Sequence, residues 1–304
     1  MAVNGFGKAV RMISKCLLAL SILALASCGT ERTATVSVLP DIPSAEGKNS
    51  STVRNISYSF TLENTTNRPL PKVDFWTFAP IGLDDAKKGS GISSSYRYEA
   101  LGDELGNTIL HFVFQDVAPF QKIVLTIKVQ VPLSGLTPSD ATCPPERFLK
   151  PEKNIESDAP EIIRLAGTLG NPRKVYEWVS GNIAYEGYSP QEKGAMYALR
   201  NRKGDCTESA FLFTALCRAS GIPSRTIGGY VCSKDAVIST SSYHNWAEYR
   251  ENGSWHIADP QKRIFDGKRE QFIATNILGS APDSPMSGFS RFRILGDGMK
   301  AEMH

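Results

Sequence analysis

The sequence predicts an α+β protein in which a small all-β sandwich precedes a mixed core of helices and strands. Three observations lead there. Between Val53 and Val131 apolar residues recur at every second position, the period of a half-buried strand. From Cys206 to Ala219 they recur at helical spacing. Around Asn252-Gly253 two aromatic-rich runs flank the strongest short hairpin signal.

The chain divides into segments 1–27, 28–52, 53–133, 134–157, 158–275 and 276–304. The first reads as a secretory signal: Lys8, Arg11 and Lys15 precede the apolar run Cys16–Ala26, which is too short to span a bilayer. Leu25-Ala26-Ser27-Cys28 resembles a bacterial lipobox, which implies that Cys28 is lipidated and becomes the mature N-terminus. Gly29 differs from an Asp-type retention signal, so sorting to the outer membrane of a Gram-negative envelope is the expectation. Segment 28–52 is the tether, rich in Ser, Thr and Pro, with Thr33–Leu39 as a possible first strand.

The sandwich, 53–133, follows from the alternating sets Ile56, Tyr58, Phe60, Leu62, then Val73, Phe75, then Leu110, Phe112, Phe114, then Ile123 through Val131. A packed spacer is the simplest role for it, and substrate presentation or cell-wall docking the functional one. Segment 134–157, with Cys143-Pro144-Pro145, reads as a linker. Asp158 suits the N-cap of a helix through Gly167, with Glu161 at the capping-box position, and Asn171-Pro172 opens another helix. After Pro260 apolar periodicity fades, so 276–304 reads as surface loop or tail.

Cys206 has a setting that suits chemistry. Asp205 is placed as an N-cap and Glu208, three residues on, closes a capping box, so Cys206 takes the first helical position. Leu212, Ala215, Leu216 and Ala219 continue the helix, and Gly221-Ile222-Pro223 ends it. A thiol at a helix N-terminus meets the positive end of the macrodipole, which favours the thiolate. The free N–H groups there can hold an oxyanion. Cys217, inside the same helix among apolar residues, reads as a buried small hydrophobe.

The hairpin places the other two groups. A two-residue turn at Asn252-Gly253 pairs Glu251 with Ser254 and Ala247 with Ala258, which makes His244 and Asp259 diagonal neighbours on one face. His256 falls on the opposite face. Cys206, His244 and Asp259 are thus the expected nucleophile, base and orienting carboxylate of a thiol acyl-transfer site. Segment Tyr185–Tyr197 should supply a second oxyanion donor; Gln191 and Tyr188 have suitable chemistry, beside a plain surface-loop role.

Gly204-Asp205-Cys206, the helix end Gly221-Ile222-Pro223, the strand Gly228-Gly229-Tyr230-Val231, His244-Asn245-Trp246-Ala247-Glu248 and Trp255-His256-Ile257-Ala258-Asp259-Pro260 resemble the core of the transglutaminase-like superfamily over about residues 155–265. The resemblance implies a papain-like α+β core with a Cys-His-Asp triad, and carries those three roles onto Cys206, His244 and Asp259. Asn245 departs from the pattern, where Ala is common after the His. The superfamily includes cross-linking enzymes, peptidases, amidases and inactive members. The expected function is therefore a lipid-anchored enzyme hydrolysing a peptide, protein or cell-envelope amide. The alternatives are a protein-glutamine transglutaminase and a silent module that binds peptide or cell wall.

Charge bounds the partners. The chain has 34 basic and 31 acidic residues, and the signal removes three basic ones, leaving a balanced mature chain with no basic patch for nucleic acid. Cys143, Cys217 and Cys232 leave one disulfide open in an oxidising compartment, its pairing undetermined. No Cys or His cluster has metal-ligand spacing, so no metal or other cofactor is expected.

Overall fold

The computed structural model describes residues 53–83, 91–133 and 143–304. The signal, Cys28 and the tether lie outside the described residues. β1 (Val53–Asn64), β2 (Leu70–Ala79), β3 (Ile92–Ser94), β4 (Glu99–Gly102), β5 (Thr108–Val117) and β6 (Lys122–Pro132) build two facing sheets. β6 pairs antiparallel with β1 along its whole length, from Val53 opposite Pro132 to Glu63 opposite Lys122. β2 pairs with β5 in the second sheet. Period-two patterning decides which side chains face inward: Ile56, Tyr58, Phe60 and Leu62 of β1 and the odd residues 123–131 of β6 are all buried. Across the gap the Phe60 and Phe75 rings meet edge-on, their centroids 4.9 Å apart, an arrangement that ring quadrupoles favour.

The second half supplies α1 (Pro160–Leu169), α2 (Pro172–Asn182), β7 (Ala184–Tyr185), α3 (Ala195–Asn201), β8 (Lys203–Gly204), α4 (Cys206–Ala219), β9 (Ser224–Val231), β10 (Ala236–Val237), β11 (Tyr243–Glu251), β12 (Ser254–Asp259), β13 (Ile264–Phe265) and β14 (Phe272–Leu278). The central sheet of this half runs β13-β12-β11-β9-β14. α4 lies against it, and Leu212, Ala215, Leu216, Ala247, Tyr249 and Ala258 share one apolar cluster with α1, α2 and α3. The fold is α+β, with the β-rich sandwich ahead of the mixed core.

Three expectations are corrected. α1 begins at Pro160 with Ala159 as N-cap, and no side chain caps it. Pro160 suits the first helical position because its missing N–H would be unpaired there anyway, and this moves the start past Asp158. The helix then runs beyond Gly167 to Gly170, which takes a left-handed C-cap. The described part of the expected linker is packed rather than free. Cys143 and Phe148 are buried with Ile81, Leu105, Trp246 and Trp255 in a cluster that fuses sandwich and core.

The third correction concerns the C-terminus. Residues 276–304 do not form a tail but carry β15 (Phe292–Leu295) and β16 (Met299–Met303). β15 pairs with β2, and β16 with β1 from Phe60 opposite Met303 to Asn64 opposite Met299. The chain therefore leaves the sandwich, builds the core, and returns to both sheets it left. Asn107 joins the two halves again at the outer edge of β14. The Ile277 N–H donates to its Oδ1 at 2.6 Å, and its Nδ2 donates to the Ile277 carbonyl at 3.2 Å. The Ile81 N–H donates to the Ala274 carbonyl on the same edge.

Candidate active site

α4 starts where the sequence signals placed it. Asp205 is the N-cap, its Oδ1 accepting from the Thr207 N–H at 2.7 Å, while Glu208 Oε2 accepts from the Asp205 N–H at 3.0 Å. Both carboxylates also hold the preceding loop: Asp205 Oδ2 accepts from the Ser189 N–H and Glu208 Oε1 from the Lys193 N–H. Burial pushes the Glu208 carboxyl up, against the Lys193 and Asp205 N–H groups that pull it down. Gly204 is required by close approach. A Cβ there would stand 2.5 Å from the Glu208 Cβ and break the capping box.

Cys206 sits half-buried at the first helical position, one of the first-turn residues whose N–H has no intrahelical acceptor. The hairpin brings the base to it. Asn252 and Gly253 have positive φ, and β11 and β12 pair with Glu251 opposite Ser254 and Ala247 opposite Ala258, the register expected from the turn. His244 Nε2 then donates to Asp259 Oδ2 at 2.7 Å, with His244 6% exposed and Asp259 fully buried. Asp259 Oδ1 accepts from the Lys262 N–H. Cys206 lies close enough to His244 to act on its charge. Burial alone would lower the imidazole pKa. The bond to Asp259 and the nearby Cys206 outweigh it and raise His244 to about 9.

His256 lies elsewhere, its Nδ1 donating to Asp266 Oδ1 at 2.7 Å and its ring stacked on Tyr249. Tyr188 is exposed, and Gln191 lines a cavity of about 650 Å³ bounded by Leu105, Phe211 and Ile277. Among the described residues neither bonds to Cys206, His244 or Asp259. Cys217 is fully buried, and burial pushes its thiol well up. Cys143, Cys217 and Cys232 are all free thiols. Among the described residues no three His, Cys, Asp or Glu side chains converge to hold a metal ion.

Set beside known families, residues 164–260, which hold Cys206, His244 and Asp259, match the transglutaminase-like superfamily. That segment belongs to the superfamily. No curated protein matches the chain. Among solved structures, a candidate cysteine protease from Cytophaga hutchinsonii is similar at 17% identity, over 83% of this chain and 92% of that one, with a TM-score of 0.48. The periplasmic domain of TgpA from Pseudomonas aeruginosa is similar at 18% identity, over 71% of this chain and 73% of that one, with a TM-score of 0.34.

Within the transglutaminase-like segment the site has three further neighbours, Tyr243, Asn245 and Glu248, of which the sequence marked only Asn245, as a departure from the family's pattern. The Tyr243 hydroxyl donates to Asn276 Oδ1 at 3.2 Å and lies within electrostatic range of Cys206. Burial holds this phenol protonated. Asn245 Nδ2 donates to Thr207 Oγ1 at 2.8 Å. On the His244 face of β11, Glu248 is bound by Arg225 at 2.6 and 2.9 Å and by Arg269 at 3.1 Å. Burial pushes the Glu248 carboxyl up, but the two guanidinium groups prevail and hold it below the usual range.

Proposed function

We propose that this protein is a cysteine-dependent acyl-transfer enzyme that hydrolyses a peptide or peptide-like amide. The observation that carries the reading is the imidazole of His244, bonded at 2.7 Å to buried Asp259 and within electrostatic range of Cys206 at the start of α4. In this mechanism the Cys206 proton already rests on His244, and the sulfur attacks the amide carbonyl carbon as a thiolate. The carbonyl electrons move onto oxygen, where the Cys206 N–H at the start of α4 is one donor. Collapse breaks the C–N bond, and His244 returns the proton to the leaving amine. A water then gives a proton to His244 as its oxygen attacks the thioester carbon, and the C–S bond breaks to release the acid and restore the thiolate beside the protonated imidazole.

Hydrolysis is favoured over amine transfer because water is at far higher concentration than any amine, and amine transfer calls for a shielded second channel. The test uses a glutamine-containing protein and a fluorescent primary amine. We expect Cys206-dependent release of free acid. Stable incorporation of the amine, faster than acid release and lost in Cys206→Ser, would make the protein a transglutaminase instead.

The place of action we propose is the cell envelope, with Cys28 lipidated and the enzyme on the periplasmic side of the outer membrane. The motif Leu25-Ala26-Ser27-Cys28 supports this reading. Mass spectrometry of the mature N-terminus checks it, and an unmodified peptide beginning elsewhere would refute it.

A further inference from the structure

We propose that Asn245 is a positioning residue, a strut that fixes the distance between the base strand and the nucleophile helix through Thr207; this rests on the thiol acyl-transfer reading above. Asn245 and Thr207 immediately follow His244 and Cys206 in sequence. Side chains alternate along β11, so Asn245 leaves the face opposite His244, the one on which Ala247 and Tyr249 pack with α4. There its Nδ2 donates to Thr207 Oγ1 at 2.8 Å, with Asn245 6% and Thr207 9% exposed. The strand that carries His244 and the helix that carries Cys206 are thus joined by this bond, one residue further along each.

The other end of the Asn245 amide is the second observation. Its Oδ1 is buried with no hydrogen-bond partner among the described residues. A side chain serving only to fill space would strand no acceptor, and an apolar one of similar size would do it better. Turning the amide over does not change the case. Thr207 would then donate to the oxygen and the NH₂ would be left over, with the strut intact. The strut is anchored in turn, because the Thr207 N–H is held by Asp205, whose other oxygen holds Ser189. Ser189, Asp205, Thr207 and Asn245 form one run of bonds from the preceding loop, across the helix start, to the strand that carries the base.

The test is iodoacetamide alkylation of Cys206, followed peptide by peptide as a function of pH in the full chain. Asn245→Ala and Thr207→Val should each slow alkylation at neutral pH by roughly tenfold, less than the ~10²-fold that a full 1 Å misplacement can cost. Their profiles should shift toward that of His244→Ala, while their melting temperatures stay near wild type. The double variant should be no slower than either single one, since both remove the same bond. Thr207→Ser, which keeps the hydroxyl, should behave as wild type. A reactive wild-type thiol whose rate is unchanged in both single variants would overturn the proposal. A wild-type Cys206 as inert as Cys217 would bring down the acyl-transfer reading itself, and this proposal with it.

Discussion

His244 Nε2 lies 2.7 Å from Asp259 Oδ2, a contact between residues 15 apart in the chain that the Asn252-Gly253 turn folds onto one face. The carboxylate is fully buried and its other oxygen is held by the Lys262 N–H, so it can fix the imidazole's orientation. Asp259→Asn should keep the fold but lower kcat by about 10⁴, because the amide cannot enforce the same tautomer. Steady-state turnover decides it, and a kcat near wild type would remove Asp259 from the mechanism.

This contact, together with the neighbouring Cys206, makes stability depend on pH. His244 is raised to about 9 in the folded chain, against about 6.5 when unfolded. The stabilisation is fully present below the unfolded value and is lost as pH rises through the folded one. It amounts to about 3 kcal/mol. Denaturant midpoints should therefore fall between neutral and alkaline pH. His244→Asn should flatten that slope, and an unchanged slope would contradict the shift.

The two histidines of the hairpin should separate cleanly. His244→Ala removes the imidazole bonded to Asp259 and within electrostatic range of Cys206, and should abolish turnover. His256→Ala loses an exposed bond to Asp266 and a stack on Tyr249, and should leave turnover unchanged. An active His244→Ala enzyme would place the base elsewhere.

Glu248 is a structural counterpart on the same strand. Glu248→Gln leaves Arg225 buried without its anion, and should cost about 3–5 kcal/mol in a denaturant titration. Because the Glu248 carboxyl is held low, its contribution is present above the unfolded value and fades as pH falls through the folded one. A variant as stable as wild type would show that the ion group contributes nothing net.

Ending the chain after Leu278 should prevent stable folding. It removes β15 and β16, including Phe292, which packs on Phe60 and Phe75 at 5.3 and 5.9 Å, and buried Met303. Each large apolar side chain lost is worth about 1.5–3 kcal/mol, against roughly 5–15 kcal/mol for a whole domain. A soluble truncated chain melting at the wild-type temperature would refute this.

What the sequence made legible was set locally. The capping box at Asp205 and Glu208, the hairpin register and the period-two strands each depend on residues a few positions apart, so spacing alone fixes them. β15 and β16 were not legible, because their partners lie more than two hundred residues away and most of their side chains are only half buried or exposed even with those partners in place. The second oxyanion donor stayed out of reach for a different reason. Tyr188 has the right chemistry, but chemistry does not say where a loop side chain points, and this one points to solvent. The Asn245–Thr207 bond depends on which face of β11 meets the start of α4, a property of packing rather than of pattern.

The edge of the core sheet closed off by Asn107 bears on recognition. An open sheet edge is a template on which an extended chain can lie as one more strand, whether a substrate or another copy of the same protein. Here one edge is the two-residue β13, and the other, β14, has its outward groups at Ala274 and Ile277 already taken by Ile81 and Asn107. A peptide reaching Cys206 therefore gains no ladder of main-chain bonds along β14 at these positions. Its affinity has to come from side-chain contacts in the surrounding clefts, and the same closure shields the sheet from edge-to-edge aggregation.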